Sequence, residues 1–226
     1  MAFNIFAVPV FIAAGIGSML SLAAWRRHST PGAGPFALLS LAGAVYALGY
    51  AFEISSHSLK SIMFWLKVEY LGISMIPALL ILFALSYTGR SRRLSAMTLA
   101  AIFFIPFVTL FLVWSAGSHD LFYRNMQLNT TGPFPVVSFT RGPWYWVYIS
   151  YMGLATVFSN FLFIRMWLNS SRLYHKQIAV VIAASLVPWA AHLIYQTRQG
   201  AWILDLAPFA LTLSGVLFFL ALFKFQ

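Results

Sequence analysis

Seven stretches of mostly apolar residues follow one another along this chain and leave almost nothing between them. A helix needs about 20 such residues to cross about 30 Å of hydrocarbon, and inside lipid every backbone polar group must be satisfied within the protein. The stretches fall at roughly 3–25, 35–57, 61–87, 94–116, 143–168, 175–197 and 202–223. The chain therefore reads as an all-α membrane protein, a seven-transmembrane helix bundle forming a single domain over residues 1–226. Composition agrees, with 61% hydrophobic and 8% charged residues, too little polar surface to cover a water-soluble fold. The first stretch is longer than a signal-peptide core and is followed by Arg26 and Arg27, so it reads as a retained helix. An odd number of spans argues against a simple inverted-repeat transporter.

The formal net charge of +10 would suggest nucleic acid in a soluble protein, but here the cations sit mostly in short turns. Arg26, Arg27, Arg90, Arg92, Arg93, Arg172, Lys176 and Lys224 fall on one side, and Lys60, Arg124, Arg141 and Arg198 on the other. The positive-inside rule then puts the N-terminus outside and the C-terminus in the cytoplasm. One connection is long, residues 117–142. Its Gly and Pro residues break helix, while its Thr, Val and Phe content permits a short hairpin over the extracellular face.

Three of the four acids fall within spans. At about 1.5 Å per residue, Glu69 lies about 12 Å into the third span, with Lys67 slightly shallower. Glu53 lies near the outer end of the second span, His192 near that of the sixth, and Asp205 near the start of the seventh. Charges at such depth need partners, water or a protein-facing environment. Glu53 and Lys67, across a short turn, are natural partners. Tyr46, Tyr50, Glu53 and His57 form one helical stripe, and His192, Tyr195 and Gln199 another. These residues predict an aromatic and polar outward-facing pocket between spans 2, 3, 6 and 7. The alternative for each is structural: polar pairs that hold helices together, tyrosines that pack the bundle. Trp144 and Trp146 read as interface anchors. Pro77, Pro106, Pro188 and Pro208 predict bends in spans 3, 4, 6 and 7.

Enzyme chemistry finds no convergent motif. There is no His-x-x-x-His or Glu-flanked metal site, no Gly-rich phosphate loop and no Gly-x-Ser-x-Gly elbow. Cys is absent, which removes thiol catalysis and Cys-bound metals. A retinal protein of the microbial rhodopsin kind needs a lysine within the last helix, but Lys224 is at its end and position 209 is Phe. No cofactor or catalytic residue is expected.

Spans 2 and 3 read together carry a resemblance. Tyr46-Ala-Leu-Gly-Tyr-Ala-Phe-Glu53, Phe64-Trp65-Leu-Lys67-Val-Glu69-Tyr70-Leu-Gly72, Pro77 and Ser86-Tyr87-Thr88-Gly89-Arg90 are followed by Ile105-Pro106 and His119-Asp120-Leu121-Phe122. Gly142-Pro143-Trp144-Tyr145-Trp146, Pro188 and Asp205-Leu-Ala-Pro208 complete the set. The whole chain resembles the N-terminal seven-transmembrane sensor region of bacterial sensor histidine kinases, relatives of which precede diguanylate cyclase and PAS modules. The resemblance implies a sensory input domain of a bacterial plasma membrane protein, with a homodimeric full-length form and a cytoplasmic output following the last helix. That output is absent from this chain, which either is the sensor piece of a longer kinase or works without a fused one. At position 148 the family has His as often as the Tyr found here.

The leading reading is thus a receptor domain that senses an extracellular or membrane-borne signal and relays it through the seventh helix. The signal is a small molecule, a lipid or a partner membrane protein, beside the membrane lipids every such bundle contacts. Two other readings stand: a small-solute or proton transporter or channel subunit, and a ligand-free membrane scaffold.

Overall fold

The structure, a computed structural model, describes residues 4–91, 94–130, 132, 134–197 and 204–224, without the side chains of 195–197. Arg92, Arg93, Arg198, Gln199 and the Tyr195 side chain lie outside the described residues. The helices are α1 (Ala7–Trp25), α2 (Ala33–Glu53), α3 (Leu59–Ile73), α4 (Ile76–Tyr87), α5 (Ala96–Trp114), α6 (Pro143–Asn169), α7 (His175–Thr197) and α8 (Ala207–Phe223). Strands β1 (Tyr123–Asn129) and β2 (Val136–Arg141) form an antiparallel hairpin between α5 and α6, irregular between Arg124 and Gln127. Six helical segments are long and apolar enough to cross a membrane, with α3 and α4 together making one of them. The seventh, α8, has 17 described apolar residues, a rise of about 25 Å.

Helix ends follow from local chemistry. Ser58 caps α3 by accepting the Ser61 N–H at 3.2 Å, and Ser95 caps α5 by accepting that of Thr98 at 3.1 Å. The second span ends at Glu53, four residues before the expected 57. Ser55 and Ser56 turn their hydroxyls back onto the Ala51 and Phe52 carbonyls, each at 2.8 Å, and close the helix there. His57 consequently leaves the Tyr46–Tyr50–Glu53 stripe and is exposed.

Apart from α3 and α4, helices adjacent in sequence pack on one another, α8 closes on α1, and α2 touches α1, α3, α4 and α8. The half of the bundle away from the hairpin is packed with aromatic rings. Phe83 sits there among Phe36, Phe163 and Phe218, with ring centroids 6.1, 5.9 and 4.8 Å away, and none of the four is more than 2% exposed. The opposite surface of α5 presents Phe104, Phe107 and Phe111, each more than half exposed, as expected of a face turned to lipid. α2 and α3 approach at Gly49 and Gly72. A Cβ at Gly72 would fall 2.1 Å from the Ala42 carbonyl oxygen, and one at Gly49 would fall 2.6 Å from the Glu69 Cγ.

The third span differs most from expectation. It is two helices, broken at Ser74 and Met75 just ahead of Pro77. Proline has no N–H, so the carbonyl four residues earlier, that of Ile73, loses its helical donor. The Tyr148 hydroxyl of α6 donates to that oxygen at 2.6 Å. Pro106 in α5 likewise frees the Ile102 carbonyl, which the Tyr151 hydroxyl fills at 2.7 Å. Pro188 in α7 frees that of Ala184, filled by the Ser214 hydroxyl of α8 at 2.6 Å. Pro208 falls in the first turn of α8, where its missing N–H leaves no gap.

Tyr148→Phe tests this arrangement. It should destabilise the protein by about 1 kcal/mol or more, because the part-buried Ile73 carbonyl loses its donor. In a Pro77→Ala background the restored N–H reaches the same oxygen, so the loss should shrink by about 1 kcal/mol. Unfolding titrations in mixed micelles read both values, and equal losses in the two backgrounds refute the assignment.

Candidate functional site

The half of the bundle under the hairpin holds a cavity of about 650 Å³. Its walls come from α2, α3, α6, α7 and the start of α8, and residues 134–141 of the hairpin roof it. The roof is anchored at both edges. Phe122 and Tyr123 are buried against Tyr70, Leu112 and Tyr145, while Phe134 packs with Val10, Tyr50 and Ile54.

Six of the seven candidate residues line this cavity: Tyr46, Tyr50, Glu53, Glu69, His192 and Asp205. Their arrangement follows from the α2 stripe. Tyr46, Tyr50 and Glu53 stand three and four residues apart, and each meets an acid on another element. The Tyr46 hydroxyl donates to Asp205 Oδ2. The Tyr50 hydroxyl accepts the Asp205 backbone N–H at 2.8 Å. Asp205 Oδ1 accepts the Ala207 N–H at 2.9 Å and so caps α8. One turn further along α2, Glu53 lines the same cavity wall as Glu69 of α3, close enough for their carboxyls to interact. Glu69 is 3% exposed, and its Oε1 has no hydrogen-bond partner. His192 stands on α7 beside the Trp189 ring, centroids 6.1 Å apart, in electrostatic contact with Asp205.

Lys67 is the exception. It does not line the cavity and does not pair with Glu53; its Nζ donates to the Trp114 carbonyl at 2.8 Å, at the C-terminal end of α5. The reason is angular: Lys67 and Glu69 are about 200° apart on α3, so a Glu69 that faces the cavity turns Lys67 toward α5. The C-terminus of a helix suits a cation through its unpaired carbonyls and dipole. The two tryptophans also separate. Trp144 turns inward, its Nε1 donating to Thr109 Oγ1 at 2.9 Å, whereas Trp146 is 55% exposed.

Several cavity residues were not among the candidates. α6 contributes Tyr145, Tyr148, Ile149 and Met152, α3 contributes Tyr70, and the hairpin contributes Tyr123 and Arg141. The Tyr123 hydroxyl donates to that of Tyr70 at 2.6 Å, and burial, with Tyr70 beside it, pushes the Tyr123 phenol well above its ordinary range. Arg141 lays its guanidinium over the rings of Tyr145 and Trp146, 4.9 and 5.9 Å from their centroids. Tyr145 and Tyr148, with Met152 four residues on, follow one helical face. That spacing was readable, but in an aromatic-rich span it does not separate cavity from core. Among the described residues, no three His, Asp or Glu side chains come together as a metal site.

A seven-span bundle with this buried polar half has a match among protein families. The model described as the N-terminal 7TM region of histidine kinase matches residues 9–226. The chain belongs to that family. No curated protein matches it. The histidine kinase 7TM region is a multi-pass membrane segment and serves as sensory input, not as the catalytic part. The tyrosine-and-acid cavity described above accordingly lies within a 7TM sensor region.

Proposed function

We propose that this 7TM region detects an extracellular or membrane-borne signal in the cavity beneath the hairpin and relays it through α8 to a cytoplasmic output of the histidine kinase type. The hairpin end faces outward and the C-terminus lies in the cytoplasm of a bacterial plasma membrane protein; the excess of Arg and Lys in the turns away from the hairpin supports that orientation. The observation that carries the reading is the Asp205 clamp. The same side chain lines the cavity, accepts from Tyr46 of α2 and caps the first turn of α8. A ligand that alters the spacing between α2 and the α7–α8 wall therefore acts directly on the last helix. Two states that differ in that spacing are all a population shift requires.

A transporter or channel would need a path through the other half. The Phe36, Phe83, Phe163 and Phe218 packing there, with Arg165 exposed on the outside of α6, offers no support for one.

The test is a stability screen of the purified chain in nanodiscs against metabolites, peptides and lipids. A ligand at a hundred times its Kd should stabilise by about 2.7 kcal/mol. Ile149→Trp, which puts an indole into the cavity, should abolish that shift. The reading fails if no compound stabilises the protein or if the filled cavity responds as the open one does.

A further inference from the structure

We infer that the cavity's ligand is a small organic cation, a protonated amine or quaternary ammonium with an apolar body, held between the carboxyls of Glu53 and Glu69. This rests on the receptor reading above and adds the chemistry of the signal. The Tyr46 hydroxyl is spent on Asp205, that of Tyr123 on Tyr70 and that of Tyr148 on the Ile73 carbonyl, while Tyr50 accepts from the Asp205 N–H. Asp205 in turn accepts at both oxygens, from Tyr46 and from the Ala207 N–H. In the roof, the hydroxyls of Ser138 and Thr140 donate to the Gln127 and Arg124 carbonyls. The hydroxyls of Tyr46, Tyr123 and Tyr148 are therefore spent, and these tyrosines offer a ligand the faces of their rings.

Glu69 is different. It is 3% exposed, lines the cavity, and keeps Oε1 without a partner, with the Glu53 carboxyl alongside. A buried acceptor in that condition is costly, and a donor brought by a ligand removes the cost. Two buried carboxyls side by side cannot both stay charged without a counter-charge, so a positively charged donor is favoured there. Aromatic faces around an acid are the surroundings that favour a cation with hydrocarbon on it over a fully hydrated metal ion. The cation of the roof, Arg141, is already stacked on Tyr145 and Trp146, and leaves the acid pair to the ligand. A cavity of about 650 Å³ is within the range that encloses a small organic molecule.

Isothermal titration calorimetry on the purified chain in nanodiscs tests this with choline, tetramethylammonium, tyramine and phenethylamine. The controls are 3,3-dimethylbutan-1-ol, the neutral shape-mimic of choline, and benzoate. At least one cation should bind about 30-fold or more tighter than the neutral mimic. Glu69→Gln should weaken it by about tenfold or more, Glu53→Gln should do likewise if the first variant fails to fold, and Lys67→Gln, outside the cavity, should leave it unchanged. Binding of the neutral or anionic probes with equal strength, blocked by Ile149→Trp, overturns the cation assignment and leaves the receptor reading standing. Cation binding that survives Ile149→Trp overturns both. Absence of binding by all four cations, with Glu69 solvated by water alone, also sinks the inference.

Discussion

Gly72→Ala is expected to destabilise the bundle by about 3 kcal/mol, the upper part of the usual range for overpacking. In an exposed helix the same change would be favourable, since alanine is about 1 kcal/mol better than glycine in a helix interior. The packing decides otherwise. The added Cβ would lie 2.1 Å from the Ala42 carbonyl oxygen and 3.0 Å from the Tyr46 nitrogen. Both are backbone atoms, so no rotamer change relieves the overlap, and α2 and α3 must separate by more than an ångström. That separation runs along the face carrying Tyr46, Gly49 and Glu69, which the cavity depends on. Gly15→Ala supplies the control, because nothing lies within 4 Å of its added Cβ. It should be neutral or slightly stabilising. Unfolding in mixed micelles compares the two directly, and a Gly72→Ala protein as stable as wild type would falsify the close α2–α3 approach.

Asp205→Ala should cost about 3 kcal/mol and loosen α8 from α2 as well. Three interactions go at once: the bond from the Tyr46 hydroxyl, the cap on Ala207, and the fixed backbone turn that places the Asp205 N–H on Tyr50. A lost helix cap is worth about 1 kcal/mol, and each buried hydroxyl left without a partner about 1–3. Asp205→Asn keeps an acceptor for both the cap and the tyrosine, so it should cost less than half as much. A stability measurement alone does not distinguish a clamp from general damage. Spin labels near the hairpin ends of α2 and α8 do, because their distance distribution should broaden in the alanine variant and stay narrow in the asparagine one. Identical distributions in wild type and Asp205→Ala would mean that other contacts hold α8 in place.

The spans were legible because hydropathy and length are strong signals, and the chain has little else. The Thr, Val and Phe content of the long connection between α5 and α6 permitted a hairpin, and one stands there. The site was partly legible. Glu53, Glu69, His192 and Asp205 stood out because ionisable groups are rare in these helices, and the tyrosines followed from helical spacing. The Glu53–Lys67 pairing failed because proximity in sequence was weighed above helix angle: with Glu69 turned inward, Lys67 had to point at α5. The break in the third span was not legible in position. Pro77 marked a bend, but Pro106 and Pro188 leave α5 and α7 continuous with their freed carbonyls likewise filled, so the split does not follow from a proline alone. The hydroxyl that donates to the carbonyl freed by Pro77, that of Tyr148, lies 75 residues away in sequence.

That distance has a consequence for how chains of this kind diverge. Three carbonyls, freed by Pro77, Pro106 and Pro188, are each filled by a hydroxyl on another helix, from Tyr148, Tyr151 and Ser214. Each proline and its hydroxyl form a two-part lock, and two of the three hydroxyls sit three residues apart on α6. A lineage that loses one part gains little from retaining the other, so the two should come and go together. Helix-swapped hybrids between relatives should accordingly work when α6 travels with α4 and α5, and lose stability when it is exchanged alone.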